Sequence, residues 1–227
     1  MRTLMVLLLL VAGPLWAATG EQLLQQRCAG CHDLQGPAAG TLKELWQRKG
    51  PDLFYAGVKY RAQWLRQWLQ NPRRIRPAGY LYFQHIKPGE KHDVIDTSTL
   101  SEHMALSADE AEKVTAALMA RKAAPVQLKG DEFAGGSISI TFGEMVFDKF
   151  NGCMACHEIE PGYGGLSGPE VYTAAKRMQP DYLVSFIRDP QAWNPKTPMP
   201  NKHISEINIQ KIVRYFQALA KENWDEK

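Results

Sequence analysis

The stretches Cys28-Ala29-Gly30-Cys31-His32 and Cys153-Met154-Ala155-Cys156-His157 hold all four cysteines of the chain. Each has the pattern Cys-x-x-Cys-His. A Cys-x-x-Cys pair alone occurs in redox-active thiol sites and as half of a zinc site. The histidine that follows both pairs here is typical of the attachment of c-type haem. Because both pairs carry it and no cysteine is left over, the pattern predicts two attachment sites.

The alternatives are a zinc site and a pair of disulfide bonds. The gap from Cys31 to Cys153 is far longer than the ~15–20 residues between the halves of a zinc ribbon. Two disulfides would account for the even number of cysteines but not for two identically placed histidines. We therefore predict two covalently bound haem c groups, with these cysteine attachment points and histidine iron ligands: Cys28, Cys31, His32, Cys153, Cys156 and His157.

Residues 1–18 have the composition of a secretory signal peptide. Arg2 gives a short basic start, an apolar run from Leu4 to Val11 follows, and the segment ends at Ala17-Ala18. The run is shorter than the ~20 residues that span a bilayer, so we expect cleavage rather than an uncleaved membrane anchor. We expect a periplasmic protein with no stable membrane span after cleavage and with no nucleic-acid partner.

The composition is that of an ordinary globular protein, with 227 residues, 44% hydrophobic residues and a formal net charge of +3. Basic residues concentrate near Arg73-Arg74-Ile75-Arg76. In an exported protein such a run is either a docking face for an acidic partner protein or a solvated basic loop. The sequence leaves both interpretations open.

The two halves of the chain also resemble each other outside the cysteine motifs. Gly50-Pro51-Asp52-Leu53 aligns with Gly168-Pro169-Glu170-Val171, an offset of 118 residues, and Asn71-Pro72 aligns with Asp189-Pro190 at the same offset. Such spaced matches indicate two related units. We predict domains at residues 19–123 and 138–227, joined by a linker rich in Gly at residues 124–137.

Helical signals recur in both predicted domains. Apolar stripes and proline boundaries indicate a helix before each cysteine motif and a middle helix in each half. Ser107-Ala108-Asp109-Glu110 is a capping box that opens a last helix. The expected helices, in chain order, are Glu21–Cys28, Ala62–Leu69, Ala108–Lys122, Phe142–Cys153, Asp181–Ile187 and Ser205–Lys221.

With this order of elements, each half resembles a class I cytochrome c domain. The resemblance covers nearly all of the chain after residue 18. It implies an all-α fold of two tandem cytochrome c-like domains, each of about three to five helices around a covalent haem. It also implies a bacterial periplasmic dihaem cytochrome, whose partners are redox proteins that donate and accept electrons.

In this family a residue of the chain supplies the second axial ligand of the iron. Met199 lies in a segment, Asn194-Pro195-Lys196-Thr197-Pro198-Met199-Pro200, that resembles the family's Met-Pro ligand loop. Prolines on both sides restrict φ and stiffen the loop that presents the sulfur. We expect Met199 to bind the second iron, with His203 as the lesser candidate.

The first half departs from the family's pattern at this position. The counterpart of Met199 is Leu81, which cannot bind iron, and an insertion at about residues 82–103 follows. Met104 keeps the family's ligand type and is the expected ligand of the first iron. The alternatives are an open, five-coordinate iron and the histidines His85, His92 and His103.

Two functions from different classes agree with these sites. The first is an electron-transfer protein, or the electron-transfer subunit of a respiratory oxidoreductase, which needs no substrate pocket. The second is a dihaem enzyme, either a peroxidase or a sulfur-compound dehydrogenase, with an open or labile sixth position at the first haem. The unusual first half keeps the enzyme open, and we favour the electron carrier.

Overall fold

The computed structural model describes residues 18–90, 93–126, 128, 130 and 132–224. Within these ranges the chain is mostly helical, as expected, with four short strands. The predicted signal peptide, apart from Ala18, lies outside the described residues, and so does His92. No helix in the described part of the chain is long and apolar enough to cross a membrane.

The N-terminal half begins with α1, which continues without a break as a π-helical turn over Leu24–Cys28, so the helix predicted before the first motif is confirmed. The predicted capping box is confirmed as well. The Glu110 amide donates to Ser107 Oγ at 3.3 Å, and the Ser107 amide donates to the Glu110 carboxylate at 2.9 Å. The α-helices of this half are α1 (Gly20–Leu23), α2 (Leu42–Gln47), α3 (Ala56–Lys59), α4 (Ala62–Gln70) and α5 (Ala108–Met119).

The C-terminal half repeats this plan. Its first helix, α6, continues as a π-helical turn over Met145–Phe150 and ends there, not at Cys153 as predicted. Gly152 explains the difference, because its φ of 60° is left-handed and stops the helix. The α-helices of this half are α6 (Ile140–Glu144), α7 (Ala174–Arg177), α8 (Pro180–Arg188), α9 (Pro190–Trp193) and α10 (Glu206–Leu219).

Two antiparallel hairpins make the all-α description too strict. β1 (Ile86–Lys87) pairs with β2 (Val94–Ile95) inside the predicted insertion, and β3 (Glu158–Glu160) pairs with β4 (Tyr163–Gly164) just after the second cysteine motif. Strands of two or three residues carry too little alternation of apolar and polar side chains to be recognised in a sequence.

Each half buries an apolar cluster where its first and last helices cross. A Cβ at Gly20 in α1 would collide with the backbone of Lys113 in α5, and one at Gly143 in α6 would collide with the ring of Tyr215 in α10. Glycine therefore permits the close approach of the helices in both halves. The fully buried members of the clusters include Leu24 and Val114 in the first and Val146, Ile209 and Val213 in the second.

The halves meet in a reciprocal backbone contact. Tyr60 and Met178, counterparts at the offset of 118 residues, lie opposite each other in an antiparallel bridge. The Arg61 amide donates to the Arg177 carbonyl at 2.8 Å, and the Gln179 amide donates to the Lys59 carbonyl at 2.9 Å. Exchanging the two halves turns one bond into the other, as in a two-fold symmetric interface. The domain boundaries themselves stay a prediction.

Candidate haem-binding sites

Both Cys-x-x-Cys-His motifs form the same backbone turn at the end of the first helix of their half. The His32 amide donates to the Cys28 carbonyl at 3.0 Å, and the His157 amide donates to the Cys153 carbonyl at 3.2 Å. In each motif the first cysteine is half-buried and the second is exposed, and all four thiols are free. Free thiols on a shared turn are what attachment of haem through two thioether bonds requires.

The thiols do not have the electrostatic surroundings of a redox-active pair. Burial raises the pKa of the Cys28 thiol, and it raises the pKa of the Cys153 thiol to about 11. Reactive Cys-x-x-Cys sites instead have an attacking cysteine whose pKa is lowered by its surroundings. The motifs are therefore better suited to attachment than to disulfide exchange.

The rings of His32 and His157 are oriented by the same kind of hydrogen bond, from Nδ1 to the carbonyl of a proline. Nδ1 of His32 lies 2.8 Å from the Pro51 carbonyl oxygen, and Nδ1 of His157 lies 2.7 Å from the Pro169 carbonyl oxygen. Because a carbonyl only accepts, each Nδ1 carries the proton and each Nε2 keeps a lone pair for a metal. Burial lowers the pKa of both histidines, which favours the neutral form that binds iron.

Glycines that precede these prolines make room for the rings. A Cβ at Gly50 would lie 2.5 Å from Cε1 of His32, and a Cβ at Gly168 would lie 2.6 Å from Nδ1 of His157. No larger residue could stand there without pushing the ring aside. The Gly-Pro pair of the repeat therefore has one structural role in both halves: glycine admits the histidine ring and proline orients it.

Four cations, one buried and three half-buried, lie near the two histidines at the contact between the halves. Arg48 is paired with Asp52 at 2.5 Å, and Arg177 is paired with Glu170 at 3.2 Å. Lys59 and Arg76 are the other two cations that face these histidines.

Lys59 and Arg76 have no carboxylate partner among the described residues. Lys59 is half-buried and lies 4.9 Å from the centre of the Tyr60 ring; burial alone would lower its pKa, but the neighbouring Tyr60 and Tyr55 raise it overall. The Arg76 guanidinium donates to the Ser167 carbonyl at 2.9 Å and lies 5.2 Å from the centre of the Tyr80 ring, and burial lowers its pKa. A buried cation is costly unless an anion compensates it. Haem carries two propionate carboxylates, so the residues present fit the group.

Met199 lies in the loop between α9 and α10, where the sequence placed it. Its carbonyl accepts from Nε2 of Gln191 at 2.8 Å, and its amide donates to Oγ1 of Thr197 at 3.4 Å. These two bonds fix the backbone of the residue, whose side chain is half-buried. His203 is exposed and has a left-handed φ of 50°. Met199 as an iron ligand stays a prediction.

The adjacent candidates of the first half, His103 and Met104, have different surroundings. The ring centroid of His103 lies 6.1 Å from that of His32 and 4.6 Å from that of Trp68. Met104 is 46% exposed. The side chain of His103 is exposed as well, and the contact that sets it apart is the one between its ring and the ring of His32.

The remaining candidates of the first half lie in or before the insertion. His85 precedes strand β1, and its Nδ1 lies 2.9 Å from Oγ1 of Thr99. Leu81, the counterpart of Met199, is buried with 8% exposure. This half therefore has a buried apolar side chain where the other half has Met199.

Sequence reasoning missed the cations at the contact between the halves as site residues. Lys59 aligns with Arg177 in the repeat, so a pair of cations at equivalent positions was visible. Their burial was not, because lysine and arginine are exposed in most proteins. Tyr80 also lies at the contact between the halves. In the structure its hydroxyl accepts from Arg48 at 3.2 Å and from Asn194 of the other half at 3.3 Å.

Comparison with known proteins bears on the second site. Residues 139–216 match the family described as cytochrome c oxidase, cbb3-type, subunit III. The matched segment runs from α6 into α10 and contains His157 and Met199. The match supports a c-type cytochrome with covalently bound haem c and a haem-based role in electron transfer. No curated protein and no solved structure matches the chain.

Proposed function

We propose that the protein is a dihaem c-type cytochrome that transfers electrons in the periplasm, as a free carrier or as the electron-transfer subunit of a respiratory oxidoreductase. One observation carries the proposal. The histidine, proline and glycine arrangement at His157, inside the segment that matches a cytochrome c family, recurs at His32 with residues at equivalent positions. The same chemistry at the same geometry supports a second haem in the N-terminal half.

Each haem supplies an iron that changes between the ferric and ferrous states. The protein chain contributes three kinds of group that attach, ligate and neutralise the haem. The cysteines fix the macrocycle, His32 and His157 bind the irons through Nε2, and Lys59 and Arg76 compensate the propionate charge. None of these roles needs a bound substrate, which supports a carrier over an enzyme.

Aromatic residues exclude water from the contact between the halves. The ring centroid of Tyr182 lies 4.7 Å from that of Trp193, and the ring centroid of Tyr55 lies 5.2 Å from that of Trp193. All three side chains are buried. A dry, tightly packed joint holds the two sites at a constant separation, which favours electron exchange between them.

The basic run is a candidate docking face for acidic redox partners. Arg73 and Arg74 are exposed, while Arg76 is turned into the contact between the halves. The exposed part of the run is therefore shorter than the sequence indicates. Periplasmic location and the identity of the partners rest on the signal-like N-terminus and on this charge.

A redox titration of purified holoprotein, followed by visible absorption, tests the function. We expect two reversible one-electron transitions and no rapid reaction with hydrogen peroxide. A single transition would contradict the second haem. Rapid turnover of peroxide by the native protein would favour the dihaem enzyme.

A further inference from the structure

We propose that His103, and not the methionine beside it, is the second axial ligand of the first haem, so that this iron is bound by two histidines. The inference rests on the proposed dihaem function and deepens it. It assigns a ligand that makes the two haems chemically different.

The position of His103 is set by packing on α4. The amide of Leu106 donates to the carbonyl of Leu69 at 2.9 Å and ties the segment before α5 to the end of α4. The His103 ring packs on Trp68 with ring centroids 4.6 Å apart. These contacts hold the imidazole on the side of the first site that faces His32.

The spacing between the two imidazoles agrees with coordination of one iron. A histidine nitrogen binds a first-row metal ion at about 2 Å, so two imidazoles on opposite sides of one ion have ring centroids about 6 Å apart. The centroids of His32 and His103 are 6.1 Å apart, and their planes are inclined by 56°.

The tautomer of His103 also suits a ligand. Its Nδ1 lies 2.8 Å from the Met104 carbonyl oxygen, which can only accept, so Nδ1 carries the proton and Nε2 keeps a lone pair. This is the arrangement that orients His32 and His157 through Pro51 and Pro169. His85 shares this tautomer, because the Thr99 hydroxyl donates to the Asp96 carbonyl at 2.7 Å and therefore accepts from Nδ1 of His85. The choice of His103 rests on its ring contact with His32.

Met104 contributes to this site through its backbone. Its carbonyl orients His103; the side chains of both residues are exposed, so the ring contact of His103 with His32 decides between them. Substituting the Met104 side chain should therefore leave the ligand set unchanged. The substitution Met104→Ala keeps the carbonyl and removes only the sulfur.

Ligation by two histidines has a measurable consequence. Methionine ligation raises the potential of haem iron, and the ligand of the second haem is proposed to be Met199. We expect the first haem to titrate at the lower potential of the two. The substitution His103→Met should raise that potential and bring the two transitions closer together.

Spectra of the ferric wild-type holoprotein are the first test. Low-temperature electron paramagnetic resonance and near-infrared magnetic circular dichroism should give one haem with two histidine ligands and one haem with histidine and methionine. Two histidine–methionine haems, or a high-spin first haem, would overturn the proposal. This test needs no variant to fold.

Substitutions then identify the histidine. In His103→Ala we expect loss of the two-histidine signal and binding of one carbon monoxide per reduced molecule, while Met104→Ala, His85→Ala and His92→Ala keep the wild-type spectrum. Loss of the two-histidine signal in His85→Ala or His92→Ala, with the spectrum of His103→Ala unchanged, would overturn the assignment of His103.

The number of haems separates this proposal from the proposed function. Two haems with other ligands would refute only the assignment of His103, whereas a single haem would refute the proposed dihaem function.

Discussion

The guanidinium of Arg61 donates through Nε to the carbonyl of Met178 at 3.0 Å, and the other half makes the equivalent contact in return. Gln179, the counterpart of Arg61, donates through Nε2 to the carbonyl of Tyr60 at 3.1 Å. These two side-chain hydrogen bonds are therefore related to each other in the same way as the two halves of the backbone bridge between Tyr60 and Met178. Two half-buried hydrogen bonds stabilise the joint from opposite sides.

Truncating either donor should weaken this joint. Arg61→Ala and Gln179→Ala each leave a carbonyl without its side-chain partner, which costs about 1–2 kcal/mol of the free energy of unfolding. Arg66→Ala is the matched control, since Arg66 forms an exposed pair with Glu112 whose loss costs about 0–1 kcal/mol. Denaturation of the holoprotein by guanidinium chloride measures all three. Equal effects of Arg61→Ala and Arg66→Ala would show that the Arg61 hydrogen bond stabilises the protein no more than an exposed ion pair does.

Adding a methyl group beside either histidine should disturb iron ligation. Gly50→Ala and Gly168→Ala place a Cβ within 2.5–2.6 Å of ring atoms of His32 and His157, and overpacking of this kind costs about 1–3 kcal/mol. We expect lower stability and a shift from low-spin toward high-spin absorption at the affected haem.

Gly30→Ala is the control for the glycine variants. Gly30 lies inside the first cysteine motif, and a Cβ there would meet no atom within 4 Å. The second motif already has alanine, Ala155, at this place. Unchanged spectra in Gly50→Ala and Gly168→Ala would mean that the histidine rings are free to move, and the proposed role of the Gly-Pro pair would be wrong.

Met199 is expected to bind the second iron. Met199→Ala should remove the long-wavelength absorption band of methionine-ligated ferric haem and let exogenous ligands bind. Met199→His should keep the iron six-coordinate and lower the potential of that haem. Ile207→Ala, an exposed apolar residue beyond the loop, is the control. Survival of the band in Met199→Ala, with the first haem contributing none, would exclude this ligand.

The half-buried cation Arg76 should raise the potential of the second haem. Reduction adds an electron, so a nearby positive charge favours the ferrous state, and Arg76 acts electrostatically on His157. For two unit charges in general, a separation of about 10 Å at an effective dielectric constant of ~20 corresponds to an interaction on the order of 1–2 kcal/mol. Arg76→Gln should therefore lower that potential by roughly 40–90 mV, since the couple transfers one electron.

The exposed Arg74 provides the comparison for this charge effect. Arg74→Gln removes the same charge from a solvated position, where screening by water and salt leaves little of its field. Both variants are followed by redox titration. Identical shifts in the two variants would mean that burial of Arg76 has no special effect.

The sequence predicted the helices that carry strong local signals. The capping box at Ser107 and the proline after α4 mark boundaries that depend on neighbouring residues alone, so the structure reproduces them closely. The hairpin at Ile86–Lys87 was missed, since two residues carry no periodicity.

The missed features of the site depend on contacts distant in sequence. Lys59 is charged, and its partial burial follows from packing against residues of the other half such as Tyr182. The difference between His103 and Met104 has the same origin, because adjacent residues are equivalent candidates until packing on Trp68 orients one of them. Motif chemistry was therefore predictable from the sequence, and ligand choice was not.

Intact-mass spectrometry of the mature, denatured and reduced protein tests the central claim most directly. Thioether-bound haem stays attached under these conditions, so the proposed dihaem cytochrome should weigh as much as its processed polypeptide plus two haems, with one haem on the peptide of Cys28 and Cys31 and one on that of Cys153 and Cys156. A mass increase of a single haem, or an unmodified peptide containing Cys28, would contradict the account.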